Sequence, residues 1–357
     1  MTEEIESSRR GAGLQPFWNA RTELPRATGH RPQTSLAIAL AAAIALLSAC
    51  PRAARAQTES PNRAAIATLR WYQASPNTFV PLINNPRGIA FDGGNMWVSM
   101  VATNTANLKG SVAKIRASDG QILGIFPVGL NPGPIACDGL NAWVVNSGSN
   151  TVMVLLAATG ELQSKIAVGH HPAGIAYDGQ SMWVTNSGDN TVTQIDTAYG
   201  TVAKTVPAGP TPGAIAFDGT SIWIANSSVN TVTRLRVSDG ARTGTFATGQ
   251  FPAALVYDGS NIWVANRGSN TVTKLRASDG ELLGTFPTRG FEPNTMVFDG
   301  DNVWVANELD DTWVKLRASD GKEMFFFRGM VNEPLGMAFD GTHVWVTNFG
   351  DLTLSKF

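Results

Sequence analysis

Two of the four histidines in this 357-residue chain are adjacent, His170 and His171, in "VGHHPAGIAYDG". Paired imidazoles suit metal binding or proton transfer, but neighbours in an extended segment point in different directions, so one metal is a poor fit for both. His30 lies in a segment expected to be removed, and His343 falls in a turn of a different kind. His171 precedes Pro172, and six other residues precede a proline in the same way: Asn85, Asn131, Thr211, Phe251, Glu292 and Glu333. Arg87 stands one place beyond the first of those prolines. A histidine, an arginine, two carboxylates and a phenylalanine around one opening can bind a small molecule or peptide. The plainer account is a water-filled opening with incidental polar residues.

Those residues share an opening because the chain repeats. Asp-Gly followed by tryptophan recurs at Asp92/Trp97, Asp138/Trp143, Asp178/Trp183, Asp218/Trp223, Asp258/Trp263, Asp299/Trp304 and Asp340/Trp345, with a proline six residues before each aspartate. The tryptophans are 40 to 46 residues apart, the length of a four-stranded propeller blade. From Pro252, "AALVYDG", "NIWVAN", "TVTKLRASDG" and "ELLGTFPT" read as four short strands bounded by turn residues. The seventh unit ends after three strands, and "NTFVPLINNP" near the start resembles the missing fourth. The expected fold is therefore all-β: a seven-bladed propeller spanning 76–357, its ring closed by the N-terminal strand. Blades are expected at 86–131, 132–171, 172–211, 212–251, 252–292, 293–333 and 334–357 plus 76–85.

Most repeated residues read as scaffold. The tryptophans fill the space between blades, the Asp-Gly pairs form turns, and Asn146, Asn186, Asn226, Asn266, Asn307 and Asn348 are expected to bond the next turn, as are Asn150, Asn190, Asn230 and Asn270. Strand alternation puts the links before the prolines and the turns between second and third strands on one face, at the channel mouth. Function belongs where the repeat breaks. Besides the pre-proline ring there are two breaks. A longer loop in blade 1, "SMVATNTANLKGS", places Met100 where the other blades have asparagine. An acidic turn in blade 6, "NELDDTW", carries Glu308, Asp310 and Asp311; it lacks the spacing of a calcium loop and reads as a solvated turn.

"SLAIALAAAIALLSA", Ser35 to Ala49, suits the apolar core of an export signal and is short for a membrane span. Cys50 follows it in a lipobox-like setting, and Ala54-Arg55-Ala56 offers a cleavage site. The segment 1–56 is read as signal and leader and 57–75 as linker, which places the protein outside the cytoplasm, periplasmic, secreted or lipid-anchored. Taking the seven basic and four acidic residues of 1–56 from the 27 and 28 of the whole leaves 20 and 24, a net of −4. That balance argues against nucleic acid, and membrane contact is expected only through the signal or a lipid anchor. Cys137 would then be the one cysteine left, so no internal disulfide is expected.

"WVTNSGDNTVTQID", with its variants "WVVNSGSNTVMVL", "WIANSSVNTVTRL" and "WVANRGSNTVTKL", resembles the YVTN-family propeller repeat, with Trp for its Tyr. The resemblance covers about 86–357 and implies the fold rather than an activity. A more distant resemblance is to the streptogramin B (virginiamycin B) lyases, propellers that open a cyclic depsipeptide by elimination with Mg²⁺. It implies such parts for His170, His171, Glu292 and Glu333, and Mg²⁺ as cofactor on that alternative only. This chain departs from that family in ending its tryptophan strand in Asn where the lyases have Glu. No nucleophile elbow, phosphate loop or His/Cys metal spacing is present. The expected function is a non-catalytic, monomeric binding module of the cell envelope, without cofactor, for an envelope protein or a small-molecule or peptide ligand. A purely structural surface protein is the remaining reading.

Overall fold

The computed structural model describes residues 79–102 and 109–357. The segments read as signal and linker, Cys50 included, and most of the blade 1 loop lie outside them. The described residues form seven four-stranded antiparallel sheets. Blade 3 shows the plan: Pro172–Tyr177 innermost, then Ser181–Asn186, Thr191–Asp196 and Thr201–Pro207. Each connection is a short turn, because strands of six or seven residues separated by Asp, Asn and Gly leave no length for a helix. Among the described residues no helix is long and apolar enough to cross a membrane.

The aspartate of each Asp-Gly pair has two tasks, of which the sequence exposes one. In blade 3, Asp178 Oδ1 accepts the N–H groups of Gln180 and Ser181 at 2.8 and 2.6 Å, while Gly179 turns at φ 97°. That is the expected turn chemistry. Asp178 Oδ2 accepts the indole N–H of Trp183 at 2.6 Å, and the same bond recurs in all seven blades. It lets a large ring with one donor enter a dry interior with that donor satisfied.

The core is divided between the blades. Trp143 packs with Met182, Val184 and Ile195 of the next blade, and Trp183 with Ile222, Ile224 and Leu235 of the one after. The ring closes in the same way, Trp345 packing against Met96, Val98 and Ile115 of blade 1. Phe79–Pro81 pairs antiparallel with the last strand, Thr353–Lys356, in the register Val80 to Leu354. Leu82 N–H then donates to Leu352 O at 2.7 Å. The N-terminal strand is therefore the fourth strand of blade 7, as its sequence implied.

Candidate functional site

The seven innermost strands surround a channel of about 290 Å³. Its wall is mostly small or apolar, with Gly88, Ala173, Ala254 and Met337 among the lining residues and Asn294 and Thr295 as polar exceptions. The pre-proline residues lead into these innermost strands, and six of the seven are held in an unusual backbone state. Asn131, His171, Thr211, Phe251, Glu292 and Glu333 all have φ between 47° and 58°, the left-handed region that L residues other than Asn and Asp avoid.

Repeated bonds impose that state. His171 N–H donates to Asn150 Oδ1 at 3.0 Å, Thr211 N–H to Asn190, Phe251 N–H to Asn230, Glu292 N–H to Asn270 and Glu333 N–H to Asp311. The carbonyls are taken as well: His171 O accepts Ser187 N–H at 3.1 Å and Glu292 O accepts Glu308 N–H at 3.0 Å. Asn150, Asn190, Asn230 and Asn270 thus bond the next link, as expected. Of the other asparagine set, Asn348 also accepts a link N–H, from Asn332 at 3.4 Å, but most of the set bonds within its own blade. Asn186 is fully buried and donates to Thr191 and Thr193 of the adjacent strand, at 3.1 and 2.9 Å, so it ties strands within its blade and does not reach the next turn.

The ring residues fall into separate groups. At the seam of blades 7, 1 and 2, Arg87 Nη1 donates to Asn131 Oδ1 at 2.9 Å and its guanidinium lies 5.8 Å from the Phe349 ring centre. Asn85 joins this group by donating to Phe349 O at 3.2 Å, and Asn131 donates to Ser147 Oγ at 2.6 Å. Burial lowers the Arg87 pKa from its usual value.

On blades 5 and 6, Arg267 reaches Glu292 at 2.6 Å and Glu308 at 3.1 Å. Burial pushes the Glu308 carboxyl up; Arg267 opposes this, and the charges of Glu292 and Glu333 add to it. Arg267 was not singled out from the sequence. Its signal was there, because blades 2, 3 and 4 have Ser147, Ser187 and Ser227 at that position.

His170 pairs with Asp189 at 2.8 Å and stands largely in solvent. The His171 side chain takes no hydrogen bond among the described residues, and none joins it to Glu292 or Glu333. Phe251 is 57% exposed. The blade 6 acids are not simply solvated. Asp310 Oδ1 accepts Phe291 N–H and the Thr312 hydroxyl, Asp311 accepts Glu333 N–H, and Glu308 meets Arg267. Among the described residues, no three His, Cys, Asp or Glu side chains are placed to hold one metal ion.

With this geometry the chain can be set beside known proteins. It aligns with virginiamycin B lyase from Staphylococcus aureus at a TM-score of 0.64 and 19% identity, over 78% of this chain and 97% of the lyase. A catalytically inactive form of that lyase with quinupristin gives 0.65 and 20%, over 78% and 97%. Kuenenia stuttgartiensis hydrazine synthase gives 0.66 and 18%, over 80% of this chain and 98% of the other. What they share is the propeller fold. The sequence matches no protein-family model and no curated protein. The site of this propeller must accordingly be read from its own side chains.

Proposed function

We infer that the chain is a binding module that takes its ligand at the channel mouth, without catalysing a reaction, in an exported or envelope-bound setting. One observation carries the reading. At six ring positions the backbone is held left-handed by bonds from neighbouring turns while the side chain differs from blade to blade. A non-glycine residue there costs on the order of 1 kcal/mol, and glycine would avoid that cost. Keeping Thr, Phe, His and Glu instead is understandable if the side chains themselves are used. The scaffold sets where they stand, and their chemistry is free to match a ligand.

The lyase alternative has less support. Glu292 is engaged by Arg267 and His170 by Asp189, which leaves no free histidine and carboxylate pair in contact. The test is retention of components from the native envelope on immobilised protein. His171→Ala and Glu292→Ala should each weaken retention several-fold with an unchanged melting temperature. Unchanged retention by both, or early melting of both, would reject the mouth as the site. Incubation of the protein with a streptogramin B antibiotic and Mg²⁺, followed by mass spectrometry, separates the two readings, since ring opening would establish the lyase.

A further inference from the structure

The face opposite the mouth carries a second repeated feature. On the third strand of most blades a cation lies against the tryptophan of its own blade and reaches to the next one. Lys114 Nζ donates to Ala157 O and Ala158 O at 2.6 and 3.1 Å. Arg234 donates to Ala277 O and Ser278 O at 3.0 and 2.9 Å, and Lys274 to Ala318 O and Ser319 O at 2.7 and 3.3 Å. Lys356 closes the ring with Ala117 O at 2.8 Å. Lys315 uses the other acceptor nearby, Asp299 Oδ2 at 3.0 Å. All five lie 4.5 to 5.6 Å from a tryptophan ring centre. The molecule thus seats an ammonium or guanidinium on a tryptophan face five times, in four blades with turn carbonyls of the next blade and in one with the carboxylate that also accepts the indole.

Blade 3 has the site without that cation. Gln194 stands where the lysines and arginine stand, and its amide turns back to Ser181 Oγ at 3.0 Å. A cavity of about 590 Å³ opens there, between blades 3 and 4. Gln194, Asp178, Ser181, Val237 and Ser238 line it. Val237 and Ser238 correspond to Ala277 and Ser278, the acceptors that Arg234 holds one blade on. Asp178 corresponds to Asp299, which binds Lys315 while also accepting its tryptophan indole. Both acceptor sets therefore face the cavity. Arg236 also lines it but is paired with Asp239 at 3.2 Å.

Lys204, on the fourth strand, is a partial substitute: its Nζ is 3.4 Å from Ser238 O and 5.5 Å from the Trp183 ring centre. Val237 O accepts no hydrogen bond among the described residues. In blade 2 the position holds Val154, buried and uncharged.

We propose that the cavity between blades 3 and 4 binds a small organic cation, a primary ammonium or guanidinium, in the place that a lysine or arginine side chain fills in five other blades. The head would take Val237 O, Ser238 O and Asp178, and its body would lie along Ser181 and Gln194. The site is separate from the channel mouth and does not depend on the function assigned there.

Calorimetric titration of the full chain with n-butylamine and with n-butanol tests this. Saturable binding of the amine and none of the alcohol is expected. Gln194→Lys supplies the cation from within, so it should weaken amine binding at least tenfold and raise the melting temperature. Lys204→Ala removes the competitor on the rim and should tighten binding several-fold, which keeps the test decisive should the first variant misfold. No saturable amine binding, equal binding of the alcohol, or an affinity that neither substitution changes would overturn the proposal.

Discussion

Trp183 gives its indole N–H to Asp178, the same carboxylate that shapes the turn ending the preceding strand. The bond couples a local turn to the packing between two blades, since the Trp183 ring is fully buried against blade 4. Replacing Trp183 with Phe keeps most of the apolar contact and leaves the carboxylate without its donor. A loss of about 1 to 3 kcal/mol is expected in urea unfolding. With Asn already at 178 the same substitution should cost much less, and a double-mutant cycle with equal costs would show that the bond contributes nothing.

The carboxylate in blade 6 makes this coupling sensitive to acid. Burial alone would raise the Asp299 pKa, but Trp304, the Asp301 and Asn302 N–H groups and Lys315 together hold it down to about 2. A carboxyl with a depressed folded pKa adds stability that is present above its unfolded value, near 4, and is lost as pH falls toward 2. Asp92 and Asp340 are shifted in the same direction. Urea midpoints should therefore drop steeply between pH 4 and pH 2, and Asp299→Asn should lower stability at pH 6 while making that drop shallower.

Arg267 stands between Glu292 and Glu308, and removing it should leave like charges facing one another. Arg267→Met is expected to lower the melting temperature at pH 7. It should also move the Glu308 titration further up, because burial, Glu292 and Glu333 remain while the one opposing charge is gone. The stability loss should shrink in acid, as Glu308 takes up a proton. Carbon-detected titration of the glutamate carboxyls, with melts at both pH values, checks both effects.

The left-handed ring can be tested without reference to any ligand. Thr211 has a β-branched side chain at φ 50°, where asparagine is far better tolerated. Thr211→Asn should stabilise the protein by about 0.5 to 1 kcal/mol, the usual scale for relieving backbone strain. Destabilisation would mean that the threonine side chain has a packing role.

Ring closure depends on few residues. Phe79–Pro81 covers the edge of the last strand, and Val80 packs on the core shared by blades 7 and 1. A chain beginning at Ile83 should melt at least 10 °C lower and associate through the exposed edge, as light scattering would detect. A monomer with unchanged melting would contradict closure by this strand.

The architecture was legible in the linear chain because a propeller is assembled from short-range elements. Each blade needs four short runs, turn residues between them and one large ring at a constant register, all visible as a period of about 40. The closure was legible too, because the last unit lacks a strand that the beginning supplies. The bond from indole to aspartate was less so, since the Asp-Gly pair already had a sufficient reason to recur. The partners of the asparagines three places after the tryptophans were only partly legible: Asn348 accepts the Asn332 N–H of the neighbouring link, whereas strand pairing brings Asn186 to Thr191 and Thr193.

The candidate site shows the boundary most clearly. The order of amino acids shows that the seven residues before the prolines occupy equivalent places in the repeat, each leading into an innermost strand. It could not settle how their side chains pair. Arg267 meets Glu292 across 25 residues, Arg87 meets Asn131 across 44, and His171 meets neither glutamate. Those pairings depend on the distance and angle between neighbouring blades, which come from how the buried rings pack. The cavity beside Gln194 is of the same kind: one substitution in a repeat is plain to read, but that both acceptor sets still face the place of the missing cation follows from the close approach of blades 3 and 4.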